Sequence, residues 1–249
     1  GRGLGGSSVI NGMLYVRGHP GDYDEWLQLG CKGWGFDDVL PAFQRIERYP
    51  AGDIASRGHD GAIDIRQFRS DPLSRTFIDA VAEAGFEVIE DYNASGEEGA
   101  SWTQHNVSPR SGRRCSALAA YLEPALCRPN LSVATGAAVT KVVIQNGAAV
   151  GLEYLHRGNV ESVNAHNEVI LCAGSICTPQ ILMLSGIGSA DEIREHGITT
   201  TVELPGVGNN LQDHFGAYVQ HACTQPITFL NHLSATGLVR GAWRFLVNG

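Results

Sequence analysis

The chain has 249 residues, 43% of them hydrophobic, and its 18 basic and 26 acidic side chains give a formal net charge of −8. That is enough apolar material for one large domain or two smaller ones, and without any run of lysines or arginines to track a phosphate backbone no nucleic-acid partner is expected. No apolar stretch approaches the roughly 18 uninterrupted residues of a spanning helix, so no transmembrane segment is expected, and the six cysteines, at 31, 115, 127, 172, 177 and 223, lack CxxC pairs and zinc spacing and are expected to be reduced and mostly buried.

The chain opens in a loop rich in glycine and serine, Gly1 to Gly12, with no strand in front of it, as if severed from its own N-terminus. Asp22 or Asp24 can cap a short helix through Trp26 and Leu29 that Gly30 ends, and a second helix fits Asp37 to Arg48, with Val39, Leu40, Phe43 and Ile46 on one face. Tyr49 to Ile63, rich in Gly, Asp, Ser and Pro and without a period, is expected to be an extended surface connection and a candidate domain crossover. A third helix covers Ser74 to Glu83 and stops at Gly85. The run of Arg110, Arg113 and Arg114 with interspersed serines can be read as an anion patch, but its usual meaning is a solvated turn before a helix that Ser116 can cap, and it is assigned no role.

From Leu131 the pattern changes to strands: Leu131 to Ala134, Val139 to Ile144, Val150 to Leu155 and Val160 to Asn164, the middle pair joined at Asn146-Gly147. This is a β-meander. Glu168 to Gly174 then reads as a buried parallel strand that turns into an amphipathic helix holding Ile181, Leu182 and Leu184. The closing stretch, Phe245 to Gly249, reads as a helix or a strand edge, and the C-terminus is expected to be truncated.

Chemistry concentrates in two places. Gly5, Gly6, Ser7, Ser8, Asn11 and Gly12 offer backbone N–H groups, hydroxyls and an amide, which suit a phosphate or a polar ring edge without adding negative charge; the plain alternative is a glycine turn with capping serines. Ala173-Gly174 starts a helix whose free N–H groups and dipole favour an anion; the alternative is an ordinary βα turn. His214, in a turn, is given no chemical role, and no histidine spacing suits a metal site.

Gly1 to Asp24, with Asn11, Tyr15, Gly18 and Asp24 in place, resembles the first signature of the glucose-methanol-choline family of flavoenzymes. Gly174 to Gly188, GSICTPQILMLSGIG, resembles the second, and the likeness, nearest to bacterial choline and alcohol dehydrogenases, covers essentially the whole chain. The resemblance implies an α/β fold with α+β insertions, part of an FAD-binding nucleotide fold plus part of a substrate-binding domain. The implied division is residues 1–48 for the flavin-contacting loop and covering helices, 49–117 for a connection and part of the substrate domain, 118–214 for the FAD-binding portion and 215–249 for a truncated return to the substrate domain. It implies FAD as cofactor, with Ser7, Asn11, Gly12 and Leu14 against the flavin, the backbone of Val139 at the adenine, and Gly5, Gly6, Ser8, Ala173 and Gly174 completing the cradle. Some relatives join the flavin covalently to a histidine just ahead of the asparagine; Ile10 stands there, which implies a non-covalent flavin.

The implied reaction is hydride transfer from a choline-like or other primary alcohol to flavin N5, giving the aldehyde, with a histidine as general base and oxygen, a quinone or another acceptor taking the electrons. That histidine and the GxGxxG fingerprint are expected to lie outside this chain, which alone is expected to be inactive, and the implied location is the cytoplasm or the membrane periphery. Two alternatives stay open: a flavin-containing lyase of the same fold, releasing a carbonyl compound and cyanide, and a non-catalytic nucleotide-binding fragment.

Overall fold

A computed structural model describes residues 1–69, 72–96, 98–220, 222–225, 228 and 233–248. Its helices are α1 (Pro20–Gln28), α2 (Phe36–Ile46), α3 (Pro72–Glu83), α4 (Tyr92–Ser95), α5 (Glu123–Ala125), α6 (Gly174–Leu184), α7 (Ala190–Glu195) and α8 (Ala235–Asn248). Its strands are β1 (Glu47–Arg48), β2 (Ile63–Asp64), β3 (Arg66–Gln67), β4 (Gln104–His105), β5 (Ala137–Gln145), β6 (Ala148–His156), β7 (Asn159–Asn164), β8 (Ile187–Gly188) and β9 (Val202–Glu203). Residues 1–131 with 221–249 form one compact unit and residues 132–220 another. The mixture of helices, short parallel ladders (β1 with β2, β8 with β9) and an antiparallel meander is the α/β class expected from the sequence. Among the described residues no helix is long and apolar enough to cross a membrane.

In the first unit α1 begins with a reciprocal cap. His19 Nδ1 accepts from the Gly21 N–H at 3.1 Å, Asp22 Oδ2 accepts from the His19 N–H at 2.9 Å, and Pro20 takes the first helical position, where its missing N–H costs nothing. Asp24 serves the next helix instead, its Oδ1 accepting from the Phe36 N–H at 3.0 Å. Gly30, at φ +104°, ends α1 as expected.

Helix α2 stops at Ile46, short of the expected Arg48, because Glu47 turns extended to pair with Ile63 and sends its carboxylate inward. The loop after it is not the expected surface connection. A Cβ on Gly58 would lie 1.9 Å from the Gln44 carbonyl oxygen and one on Gly61 2.4 Å from the Glu47 nitrogen, so the glycines let this loop lie directly against the end of α2. Its deepest side chain, Arg57, is 1% exposed.

Arg57 and Arg17 converge on Glu47. Glu47 Oε1 accepts from Arg17 Nη2 at 2.5 Å and Arg57 Nε at 2.8 Å, and Oε2 accepts from Arg57 Nη2 at 3.1 Å. Arg57 Nη1 also reaches both oxygens of Asp91 at 2.6 and 2.7 Å. Gln104 donates to Asp91 at 2.8 Å and accepts from Asn93 at 2.9 Å, closing the network. Burial works against the Arg57 charge, but Glu47 and Asp91 outweigh it and hold its pKa above the ordinary value.

In the second unit β5, β6 and β7 pair in order, with Asn146 (φ +52°) and Gly147 (φ +78°) making the expected tight turn. Ser185, at the end of α6, accepts from the Val142 N–H at 2.8 Å and donates to the Ile181 carbonyl at 2.6 Å, fastening helix to meander over buried Val142 and Ile181. Two expected strands do not form among the described residues. There Leu131 to Ala134 has no ladder partner and no strand lies beside Glu168 to Cys172, so a run that reads as buried leaves Ile170 72% exposed. Helix α6 is not amphipathic either: Ile176, 71% exposed, is as apolar as buried Ile181. All six cysteines are free, and Cys115 alone among them is buried, against the expectation of mostly buried thiols. The closing stretch is helical to Asn248, Gly249 lying outside the described residues.

Removing one partner of a buried, bidentate charge pair typically costs about 3–5 kcal/mol, against about 0–1 kcal/mol for an exposed pair such as Arg69 with Glu90. Arg57→Ala should therefore lower the unfolding free energy by about 3–5 kcal/mol and Arg69→Ala by under about 1 kcal/mol. Urea denaturation of both variants checks the ordering.

Candidate cofactor-binding site

The opening loop is a short 3₁₀ turn, Gly6–Val9, entered through left-handed glycines: Gly5 at φ +87° and Gly6 at φ +56°. Gly5 is required for a second reason. A Cβ there would stand 2.9 Å from Val9 Cγ1 and 3.0 Å from Leu118 Cβ. Ser8 spends its hydroxyl inside the structure, donating to the Gly5 carbonyl and accepting from the Ala117 N–H at 3.0 Å, so it fastens the loop to the start of the helical segment Leu118–Leu122 rather than facing outward. Ser7 is exposed.

Asn11 is the turning point. Its Oδ1 accepts from the Met13 N–H at 3.1 Å and from Arg114 Nη1 at 2.5 Å. Both partners are donors only, which fixes the amide orientation: oxygen toward the protein, NH₂ away from it. The Asn11 NH₂, the Gly12 N–H and the Leu14 N–H have no partner among the described residues. Leu14 stands opposite His105 between the bonds Tyr15 N–H to Gln104 O (2.9 Å) and Asn106 N–H to Met13 O (3.0 Å), so its own N–H points off the ladder. Ile10 (70% exposed) and Leu14 (57%) give this donor row apolar neighbours. Neighbouring Tyr15 is pushed well above the usual phenol range by burial and then by the Glu47 charge, so it stays a neutral hydroxyl.

A donor-only row beside apolar side chains is what the acceptor-rich edge of a flavin requires, and the residues present fit such a group. Gly5, Gly6, Ser7, Ser8, Asn11, Gly12 and Leu14 share the first unit; Val139, Ala173 and Gly174 belong to the second. Val139 pairs with Tyr154, just before a break in register at Thr140. Gly174, at φ +87°, opens the 11-residue α6, and Ala173 supplies no side-chain cap, which leaves first-turn N–H groups for an external acceptor. Among the described residues no group of histidine, cysteine or carboxylate side chains could hold a metal ion.

Arg114 is the residue that sequence reasoning missed. Taken as part of a solvated turn, it lies half-buried on a hairpin closed by Gly112 and bonds Ser8 O at 3.2 Å as well as Asn11. The pairing joins residues 103 apart in the chain, beyond the reach of local spacing. Ser116 does accept from the Ala119 N–H at 3.3 Å, as expected of a cap.

The family model described as GMC oxidoreductase matches residues 1–216. The chain is 45% identical to an oxygen-dependent choline dehydrogenase of Brucella anthropi over 100% of its own length and 45% of that protein, and 44% identical to one of Rhizobium meliloti over the same shares. It thus spans less than half the length of these curated relatives. Among solved structures, pyridoxine 4-oxidase from Mesorbium loti superposes with a TM-score of 0.74 at 33% identity, covering 80% of this chain and 39% of that one. A fungal aryl-alcohol oxidase superposes with a TM-score of 0.81 at 27% identity, covering 98% and 45%.

Two glycines of the opening loop separate backbone from space. Gly5→Ala meets both a left-handed φ and two close atoms and should cost about 1–3 kcal/mol, whereas Gly12→Ala, with nothing within 4 Å, should change stability by under about 0.5 kcal/mol. Thermal melts of the two variants check the contrast.

Proposed function

The chain belongs to the GMC oxidoreductase family, and from that premise we propose that it forms the flavin-contacting part of an enzyme that oxidises a small alcohol to the aldehyde. Its cofactor is FAD, the cofactor of this family and of a solved relative, an FAD-dependent oxidoreductase from Chaetomium thermophilum that is 30% identical. Bound FAD supplies the acceptor for the hydride leaving the alcohol carbon. The observation that carries the proposal is the row of outward donors at Asn11, Gly12 and Leu14, held on a loop that the family model matches.

In this reading the three donors bind the polar edge of the flavin ring, and they are most favourable when that edge gains negative charge. Val139, Ala173 and Gly174 serve the adenosine and diphosphate end, the last two through the first turn of α6. Ile10 presents only carbon where some relatives carry the linking histidine, so the flavin is held without a covalent bond. The similarity to oxygen-dependent choline dehydrogenases favours a choline-like alcohol as substrate, with oxygen, a quinone or another compound as electron acceptor.

Acid precipitation of the full-length holoprotein should leave the flavin in the supernatant; colour in the washed pellet would show a covalent link. Asn11→Leu removes one preorganised donor while keeping volume. It should slow flavin reduction by roughly 10²- to 10³-fold with little change in melting temperature, and a normal reduction rate at normal flavin content would take Asn11 out of the site.

A further inference from the structure

We propose that Arg114 is a positioning residue for the flavin: it holds the Asn11 amide with its NH₂ turned outward. The inference rests on the reading of Asn11 as a flavin donor given above. Nη1 of Arg114 makes two bonds at once, to Asn11 Oδ1 at 2.5 Å and to the Ser8 carbonyl at 3.2 Å, and so clasps both ends of the turn that carries Asn11. A guanidinium has donors and no acceptor, so the amide facing it must present oxygen. Without that partner, the Met13 N–H alone holds the oxygen, and the terminal torsion of an asparagine is broad and soft.

Arg114 is itself held firmly. Its hairpin is closed by Ser108 N–H to Arg113 O at 2.8 Å and Cys115 N–H to Asn106 O at 2.8 Å, and Asn106 Nδ2 donates to the Cys115 carbonyl at 2.9 Å. The same hairpin is tied to the segment after Asn11 through Asn106 N–H to Met13 O, and Ala117, just beyond it, donates its N–H to the Ser8 hydroxyl. One local structure therefore fixes the backbone on both sides of Asn11 as well as its side chain.

The test uses the full-length protein with FAD removed and titrated back, together with the midpoint potential of the bound flavin and the melting temperature. Arg114→Met keeps the apolar stem and removes the donors; it should weaken FAD binding roughly ten- to a hundredfold and lower the potential. Arg114→Lys should stay within about threefold of the parent, because one nitrogen makes both bonds and an ammonium can replace it. Asn11→Leu should match Arg114→Met, and the double variant should be no worse than Asn11→Leu, as expected when one residue acts through the other. Additive losses, or an Arg114→Met protein with parental affinity and potential, would overturn the proposal. So would a folded Arg114→Lys protein that loses as much affinity as Asn11→Leu, and that arm decides the matter if Arg114→Met does not fold. If Asn11→Leu changes neither affinity nor potential, the reading of Asn11 fails first and takes the proposal with it.

Discussion

Glu47 is fully buried, and a buried carboxylate is tolerable only if its lost hydration is replaced. Here Arg17, Arg57 and the Gly58 N–H replace it, while Asp91 balances the second guanidinium, so the four charged side chains sum to zero. Aromatic faces complete the enclosure, with Arg57 4.4 Å from the Tyr49 ring centroid and Arg17 5.3 Å from that of Phe43. Such a network gains little over a well-packed apolar core, yet it is costly to break and tolerates only one arrangement of its parts. It joins the stretch from Met13 to Arg17, the end of α2, the loop at 57–61, the start of α4 and β4 into one register.

The candidate site hangs from that register. Residues 13 to 17 are bonded along their length: Met13 and Tyr15 to Asn106 and Gln104, and the Arg17 N–H to Asn93 Oδ1 at 2.6 Å. Asn11 and Gly12 project just ahead of this anchored stretch, and Arg114 and Ser8 hold them from the other side. Donors fixed before a ligand arrives spend less free energy on ordering than donors on a free loop. The glycines act earlier, letting the chain turn tightly against Leu118 so that the donor row is presented at all.

Local signals were readable from the sequence, and contacts distant in the chain were not. The Asn146-Gly147 turn, the three meander strands from Val139 onward, the ends of α1 and α3 at Gly30 and Gly85, and the family likeness of both glycine motifs depend on neighbouring residues. Glu47 reads as helical in the sequence because nothing near it announces Arg17 and Arg57 as partners. The segment holding Arg57 reads as a surface loop because glycine-rich composition suits both an exposed turn and a backbone pressed against another. The run before Gly174 failed differently: a parallel strand is defined by its neighbours, and none lies beside it among the described residues. Asn11 stands out in the sequence as a polar residue after an apolar pair, whereas the orientation of its amide depends on Arg114, which lies far away in the chain.

Backbone hydrogen exchange across residues 11–14 of the full-length protein, with and without FAD, measures the central claim most directly. The Gly12 and Leu14 amides have no partner among the described residues, so both should exchange quickly in the flavin-free form and become protected when FAD binds, while the buried segment around Arg57 and Gly58 stays protected in both states. Unchanged exchange at Gly12 and Leu14 on saturation with FAD would contradict the assignment of this loop to the flavin.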